Sequence, residues 1–439
     1  MKVNHRWLML LPLSVVVAGA LAMASMAGAS AKKVSGSITV WVDAVRLPAA
    51  QAYVAAHPNV HVSVVTFDGD GNGATTLQTK IQLWNRIGSG WPDVIFSEQA
   101  NDPQWMGSAS FNFAQDLKKV IPAKILNAWP KPSTAQCTLN GRIVCLQDNL
   151  AQDVLWVNKK LMTQFGYTVP KTWQQWAAIG ADVAAKHPGY IIGNIGDSYG
   201  HWIYLWGDQC PLETLKGKKL LINSLDVHCT RMASLLDPLI KGGTLPPQSV
   251  FDAGFSQKYG GANDKILMMP GPTWYGSIFP PGTTLNIPAG QMTASMPLQW
   301  NNDKPLVTGQ IGGGPWIISK HSKNLAAAAD FVTWETTQFD SGAAPGRPGY
   351  PAYPPLAKRW LASQSSDPYY AADPGPAMKA AANLIWKGWT FVTYPDQPVW
   401  SNTVVTALVA GQPLSSLLGP FGDALAQAAS AAGYNVTRK

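Results

Sequence analysis

The chain has 439 residues, 46 % of them hydrophobic, which is ample for a real core and long enough for two domains. Only 13 % are charged, about half the usual ~25 %, and the formal net charge is +8. The densest basic cluster, Lys216-Gly217-Lys218-Lys219, has no interleaved aromatics and reads as a solvated turn, which argues against a nucleic-acid surface.

The amino terminus has the pattern of an export signal. Lys2 and Arg6 are basic, Leu8 to Ala24 is apolar, and Ala29-Ser30-Ala31 offers a small-residue cleavage site, so residues 1–31 are expected to be removed. Pro12 and Gly19 interrupt the apolar run, which argues against a permanent span. Removing this segment takes two cations and no acids, so +8 becomes +6. The first cysteine is Cys137, so no lipid-bearing Cys follows the signal, and a soluble periplasmic or extracellular protein is expected. In that setting the four cysteines suggest disulfides. The economical pairing is Cys137–Cys145 across "TLNGRIV" and Cys210–Cys229 across a longer loop, out of three possible connectivities. Zinc-type Cys spacing is absent and the seven His are dispersed, so no metal or cofactor is expected.

Down the chain, "SITVWVD" predicts a buried strand, "LPAAQAYVAA" a helix stopped by His57-Pro58, and "VHVSVVTF" a second strand. A helix with Leu77, Ile81 and Trp84 on one face ends at Gly88, and "PDVIF" is the third strand. This alternation implies a parallel sheet with ligands beyond its carboxyl ends. Those ends carry Trp41 and Asp43, Asp68 and Asp70, then Glu98, Asn101 and Asp102. A second α/β pattern follows the cysteine hairpin. It runs through the strand "QDVLWV", a helix capped by Thr172 with Gln175 and ended by His187-Pro188, and the strand "YIIGNI". "DKILMMPGPTWYG" is a strand running into a turn that carries Trp274 and Tyr275. The strand "WIIS" and the helix "NLAAAADFVTWETT" come next, then the Gly/Pro-rich excursion 341–355 and a helical tail.

Four motifs invite chemistry. "DGDGNG" (68–73) starts like a calcium loop, but its twelfth position is Thr79 where a bidentate Glu is needed. "GDSYG" (196–200) has the form of a nucleophile elbow, with Ser198, Asp226 or Asp237, and His321 in the order of a hydrolase triad, but no oxyanion segment precedes it. A carboxylate pair of the glycosidase kind stays open, but among 25 acids the sequence gives no means of choosing one. "GGGPW" (312–316) makes a poor phosphate cradle, because Pro315 lacks an N–H and a strand follows instead of a helix. The 19 Trp suggest aromatic surfaces facing something other than water, although a core position is the ordinary outcome for any single one.

Taken in order, four segments resemble the extracellular solute-binding proteins of sugar ABC transporters, the group that includes maltodextrin-binding proteins. They are "GWPDVIFSEQANDPQWMGSASFNFAQDL", "LWVNKKLMTQFGYTVPKTWQQW", "DKILMMPGPTWYG" and "GGGPWIISKHSKNLAAAADFVTW". Val157 stands where the family often has Tyr. The resemblance implies a type II periplasmic-binding-protein-like α/β fold, with two lobes around a ligand cleft. Lobe 1 would comprise residues 32–148 and 300–340, lobe 2 residues 149–299 and 341–439. Crossings are expected near Asp148–Asp153, Met296–Trp300 and Gln338–Pro345.

The implied function is capture of a mono- or oligosaccharide for an ABC permease by a monomeric, non-enzymatic protein. The expected ligand-binding residues are Trp41, Asp43, Glu98, Asn101, Asp102, Asp148, Asn149, Asp197, Tyr199, Trp274, Tyr275, Trp316, Arg347, Tyr350 and Trp400. A secreted hydrolase, or the same fold with a polyamine, anion or metal as ligand, is the alternative.

Overall fold

A computed structural model describes residues 34–301, 303–338 and 349–439. The expected export signal and Arg347 lie outside them. Strand β1 (Gly36–Val42) leads through helix α1 (Leu47–Ala56) to β2 (Val60–Thr66), and α2 (Thr76–Ile87) leads to β3 (Val94–Phe96). β1 pairs in parallel with both β2 and β3, as the alternation predicts. Leu77, Ile81 and Trp84 are buried, and Gly88 closes α2 with φ +71°, a conformation that costs glycine little. A disulfide, Cys137–Cys145, closes the short hairpin that follows, and Cys210–Cys229 is the second, as expected.

Strand β4 (Leu146–Gln147) adds to the first sheet, after which residues 148–152 carry the chain to β5 (Asp153–Asn158). Helix α3 (Trp173–Lys186) is capped by the Thr172 hydroxyl on the Gln175 N–H, while Gln175 Oε1 reaches the Lys171 N–H at 2.8 Å. β6 (Met268–Pro272) and β7 (Met292–Ser295) flank β5 in an antiparallel sheet. The chain then returns to the first sheet as β8 (Pro315–Ile318), antiparallel to β3 and β4, giving the order β2-β1-β3-β8-β4. Helix α4 (Leu325–Thr337) packs back on that sheet. The third expected crossing, near Gln338–Pro345, lies almost wholly outside the described residues.

Successive strand side chains face opposite ways, so each sheet feeds two cores. In the first sheet Val94, Phe96, Trp316 and Ile318 join one cluster, and Ile95 and Ile317 the other. In the second, Val154 and Trp156 face one cluster, Leu155 and Val157 the other. Val34–Lys439 holds together as a single unit. "YIIGNI" does not form a strand. Only Ile191 makes an isolated bridge, to Ile266, and a Cβ at Gly193 would lie 2.9 Å from Tyr204 Oη, so the segment is shaped by packing against that ring.

Candidate ligand-binding site

The ends of β1, β2 and β3 and the passages between sheets meet at one cavity of about 230 Å3. Arg46 enters from the turn after β1, Asn72 from the loop after β2, and Glu98 and Gln99 from the loop after β3. Asn149 follows β4, and Ile311 to Gly314 precede β8. Tyr199, Phe251, Trp274 and Ile278 line the opposite wall.

Arg46 is placed by its neighbours. Its backbone N–H donates to Asp43 Oδ1 at 2.7 Å, its guanidinium bonds Asp43 Oδ2 at 2.9 Å, and Asp148 lies 3.8 Å away. The guanidinium also stacks 4.2 Å over the Phe96 ring. Burial opposes its charge, but Asp43, Asp148 and Glu98 outweigh that and keep it ionised. Glu98 behaves the other way: burial, helped by a hydrogen bond with Asp43, pushes its carboxyl up to about 8 despite Arg46.

The aromatic wall depends on a Pro/Gly turn. Pro272 ends β6 with φ −68°, and the next turn carries Trp274 and Tyr275. A Cβ at Gly271 would lie 2.3 Å from the Tyr275 ring, so glycine is what lets that ring fold beneath the turn. The Trp274 indole N–H donates to the Ile311 carbonyl at 2.9 Å, fixing the ring. Phe251 lies parallel to it at 6.2 Å and Tyr199 sits edge-on at 6.0 Å. Opposite, Gly312, Gly313 and Gly314 have φ of +90°, +113° and +55°, and a Cβ at Gly313 would lie 2.0 Å from Gln147 Nε2. The Gly313 carbonyl accepts from the N–H groups of Asp148 and Asn149 at 3.0 and 3.1 Å. These glycines bring the returning backbone against β4 and form part of the cavity wall.

Three buried polar atoms on the wall lack a partner among the described residues. They are Arg46 Nε, Asn149 Oδ1 and Tyr199 Oη, the last beside Tyr275 without a hydrogen bond of ordinary geometry. Buried polar groups are nearly always paired, so a donor, an acceptor and a hydroxyl left unpaired on residues that line one cavity fit a site for a polar ligand.

Residues 36–209 match the sequence profile of the bacterial extracellular solute-binding protein family. Among solved structures, the galacto-N-biose/lacto-N-biose I-binding protein of an ABC transporter from Bifidobacterium longum gives a TM-score of 0.74 at 17 % identity, over 92 % of this chain and 99 % of that one. An ABC-transporter-associated binding protein from B. animalis subsp. lactis, in complex with β-1,6-galactobiose, gives 0.76 at 18 %, over 92 % and 100 %. The GacH receptor of Streptomyces glaucescens, solved without ligand and with acarbose, gives 0.67 at 17 %, over 90 % and 99 %. No curated protein matches in sequence. The chain has the extracellular solute-binding protein fold. The expected type II α/β architecture is therefore present, and no helix among the described residues is long and apolar enough to cross a membrane.

On this solute-binding fold the expected site residues separate into groups. Glu98, Asn149, Tyr199 and Trp274 line the cavity, and Asp43 and Asp148 stand behind it holding Arg46. Asp197 is buried among Asn194, Ser249 and the Val250 N–H, bracing the loop that carries Tyr199. Asp102 accepts from Ser97 and from the Trp105 indole within its own loop.

The remaining members of the expected set pack elsewhere. Trp41 packs against Phe67 and Trp84, and Tyr275 is buried beneath Trp274. Trp316 is fully buried between Phe96 and Phe331, so it belongs to the first sheet's core and not to the cavity wall. Trp400 packs on His201 and Phe421, Tyr350 on Trp360, and Asn101 bonds Asp396.

Arg46, Asn72, Gln99 and Phe251 were not anticipated. The first three sit within loops whose neighbouring residues were, but Phe251 has no motif. The hydrolase triad is not assembled. Asp226 caps the helix Val227–Lys241, Asp237 bonds Ser415, and His321 stacks on Trp91. Asp70, in the calcium-like motif, accepts instead from the Leu77 N–H at 3.0 Å, tying its loop to α2.

Proposed function

We propose that this protein captures a short, uncharged sugar between two lobes and delivers it to an ABC permease without altering it chemically. The observation that carries this is the pairing of a fixed aromatic face, Trp274 with Phe251 and Tyr199, with unpartnered polar atoms: Arg46 Nε and Asn149 Oδ1 on the other wall and Tyr199 Oη on the aromatic face itself. A pyranose has apolar C–H faces and a rim of hydroxyls that both donate and accept, and such a cavity satisfies both. Arg46 is the one cation on the described wall, and its charge is already matched by Asp43 and Asp148, which disfavours an anionic solute. Burial raises the Glu98 carboxyl above the ordinary carboxylate range, which weakens its pull on a cation or a metal. The volume, about 230 Å3, is below the ~300–1,000 Å3 typical of larger ligands and suits one or two rings.

In this account lobe 1 is built on the first sheet and lobe 2 on the second, and closure turns about the passages near residues 148–153 and 296–300. Export, a soluble mature form and a monomeric state complete the proposal. The test is a thermal-shift screen of the mature protein against neutral mono- and disaccharides, in which a bound sugar raises Tm by mass action. A panel that leaves Tm unmoved at millimolar sugar overturns the proposal.

A further inference from the structure

Polar contacts bridge the two walls beside the cavity. Asn101 Nδ2 donates to Asp396 Oδ1 at 2.7 Å, with both residues buried. The other Asp396 oxygen accepts from the Trp202 indole at 2.8 Å and lies 2.9 Å from His201 Nε2. Next to this, Gln397 Nε2 donates to Gln99 Oε1. On the far side of the loop, Asn72 Oδ1 accepts from the Ser198 N–H at 3.2 Å, and Asn72 Nδ2 reaches Ser249 Oγ at 3.5 Å. Asn72, Gln99 and Asn101 come from the loops after β2 and β3. Their partners come from segments that pack around the second sheet. Asn101 and Asp396 are not on the cavity wall.

We propose that the Asn101–Asp396 bond, supported by Gln99–Gln397 and Asn72–Ser198, is a latch that sets how much of the protein is closed before any ligand arrives. Asn101 is then a positioning residue for binding, although it touches no ligand. The inference rests on the two-lobe reading of the function, because the latch joins the loops of one lobe to the other. The physical basis is that apparent affinity scales with the population of the competent closed state. A buried bond to a carboxylate is strong enough to shift that population materially. Asp396 keeps Trp202 and His201 when Asn101 is removed, so truncating Asn101 does not strand a buried charge.

The experiment compares the wild-type protein with Asn101→Ala, and with Gln397→Ala in case the first variant fails to fold. Small-angle scattering of the ligand-free proteins should show a larger radius of gyration for the variant. Calorimetry with several neutral sugars should show affinity falling about tenfold by the same factor for each sugar, chiefly through faster release. Equal radii of gyration overturn the latch. So does an affinity loss that differs markedly from sugar to sugar, because that pattern means Asn101 contacts the ligand. If no sugar binds either protein, the sugar reading falls, and scattering alone still decides the latch.

Discussion

The two walls of the cavity are built on different principles. The wall from the first sheet is polar and over-determined: Arg46 is gripped by Asp43, Asp148 and the Phe96 ring, and the Gly312–Gly314 backbone is pinned to β4. The wall from the second half is aromatic and graded in exposure, from buried Tyr199 through half-buried Trp274 to Phe251 at 44 % exposed. The first wall sets the charge and hydrogen-bonding character of the site, and the second supplies contact area. Changes to the first should therefore register mainly in stability, and changes to the second in affinity.

The largest effect is expected at Arg46. Arg46→Ala removes the guanidinium that faces Asp43 and Asp148 and that offsets part of the rise at Glu98, at a cost of about 3–5 kcal/mol, the usual penalty for breaking a buried pair. Chemical denaturation should show this as a lower midpoint with an unchanged m-value. Trp274→Ala should lower the midpoint less than Arg46→Ala does, because the ring is only half buried, and should weaken sugar binding by roughly 2–3 kcal/mol, as expected for an aromatic anchor. Phe251→Ala, at the exposed end of the same platform, should lose well under 1 kcal/mol of affinity by calorimetry. If Phe251 proves to matter more than Trp274, the graded view of the aromatic wall is wrong.

Glu98 provides a subtler test, by pH. Its folded-state pKa lies at about 8, above the ordinary value, so the protonated form favours folding. That contribution is complete below the ordinary carboxylate range and is lost as pH rises toward 8. Glu98→Gln should therefore melt close to wild type near pH 5 and progressively above it by pH 9. Asp70 and Glu213, both raised mainly by burial to about 8, keep the wild-type decline in place in either protein. A Tm difference that stays constant with pH would show that Glu98 is not buried as described.

Much of this was legible in the chain. The three parallel strands, the polar strand ends and the Pro/Gly turn with Trp274 follow from period-two alternation and turn chemistry, which are local. Asn101 shows where local pattern stops. Its loop was identified, but its partner, Asp396, lies 295 residues away, and nothing in "SEQAND" distinguishes a ligand contact from a contact across the cavity. Trp316 shows the same limit differently, since glycines beside a tryptophan suggest room for a ligand. Pleating instead turns that ring into the core with Phe96 and Phe331, and only the glycine backbone reaches the cavity. Arg46 was missed although Asp43, three residues earlier, was singled out. The partner of a buried acid was the available signal.

The most direct measurement is titration calorimetry of the mature protein with a neutral disaccharide and with its uronic-acid counterpart. The account predicts one-to-one binding of the neutral sugar and a much weaker response to the acid, because Arg46 is already matched. Binding of the acid as tight as that of the neutral sugar, or binding of neither, would contradict it.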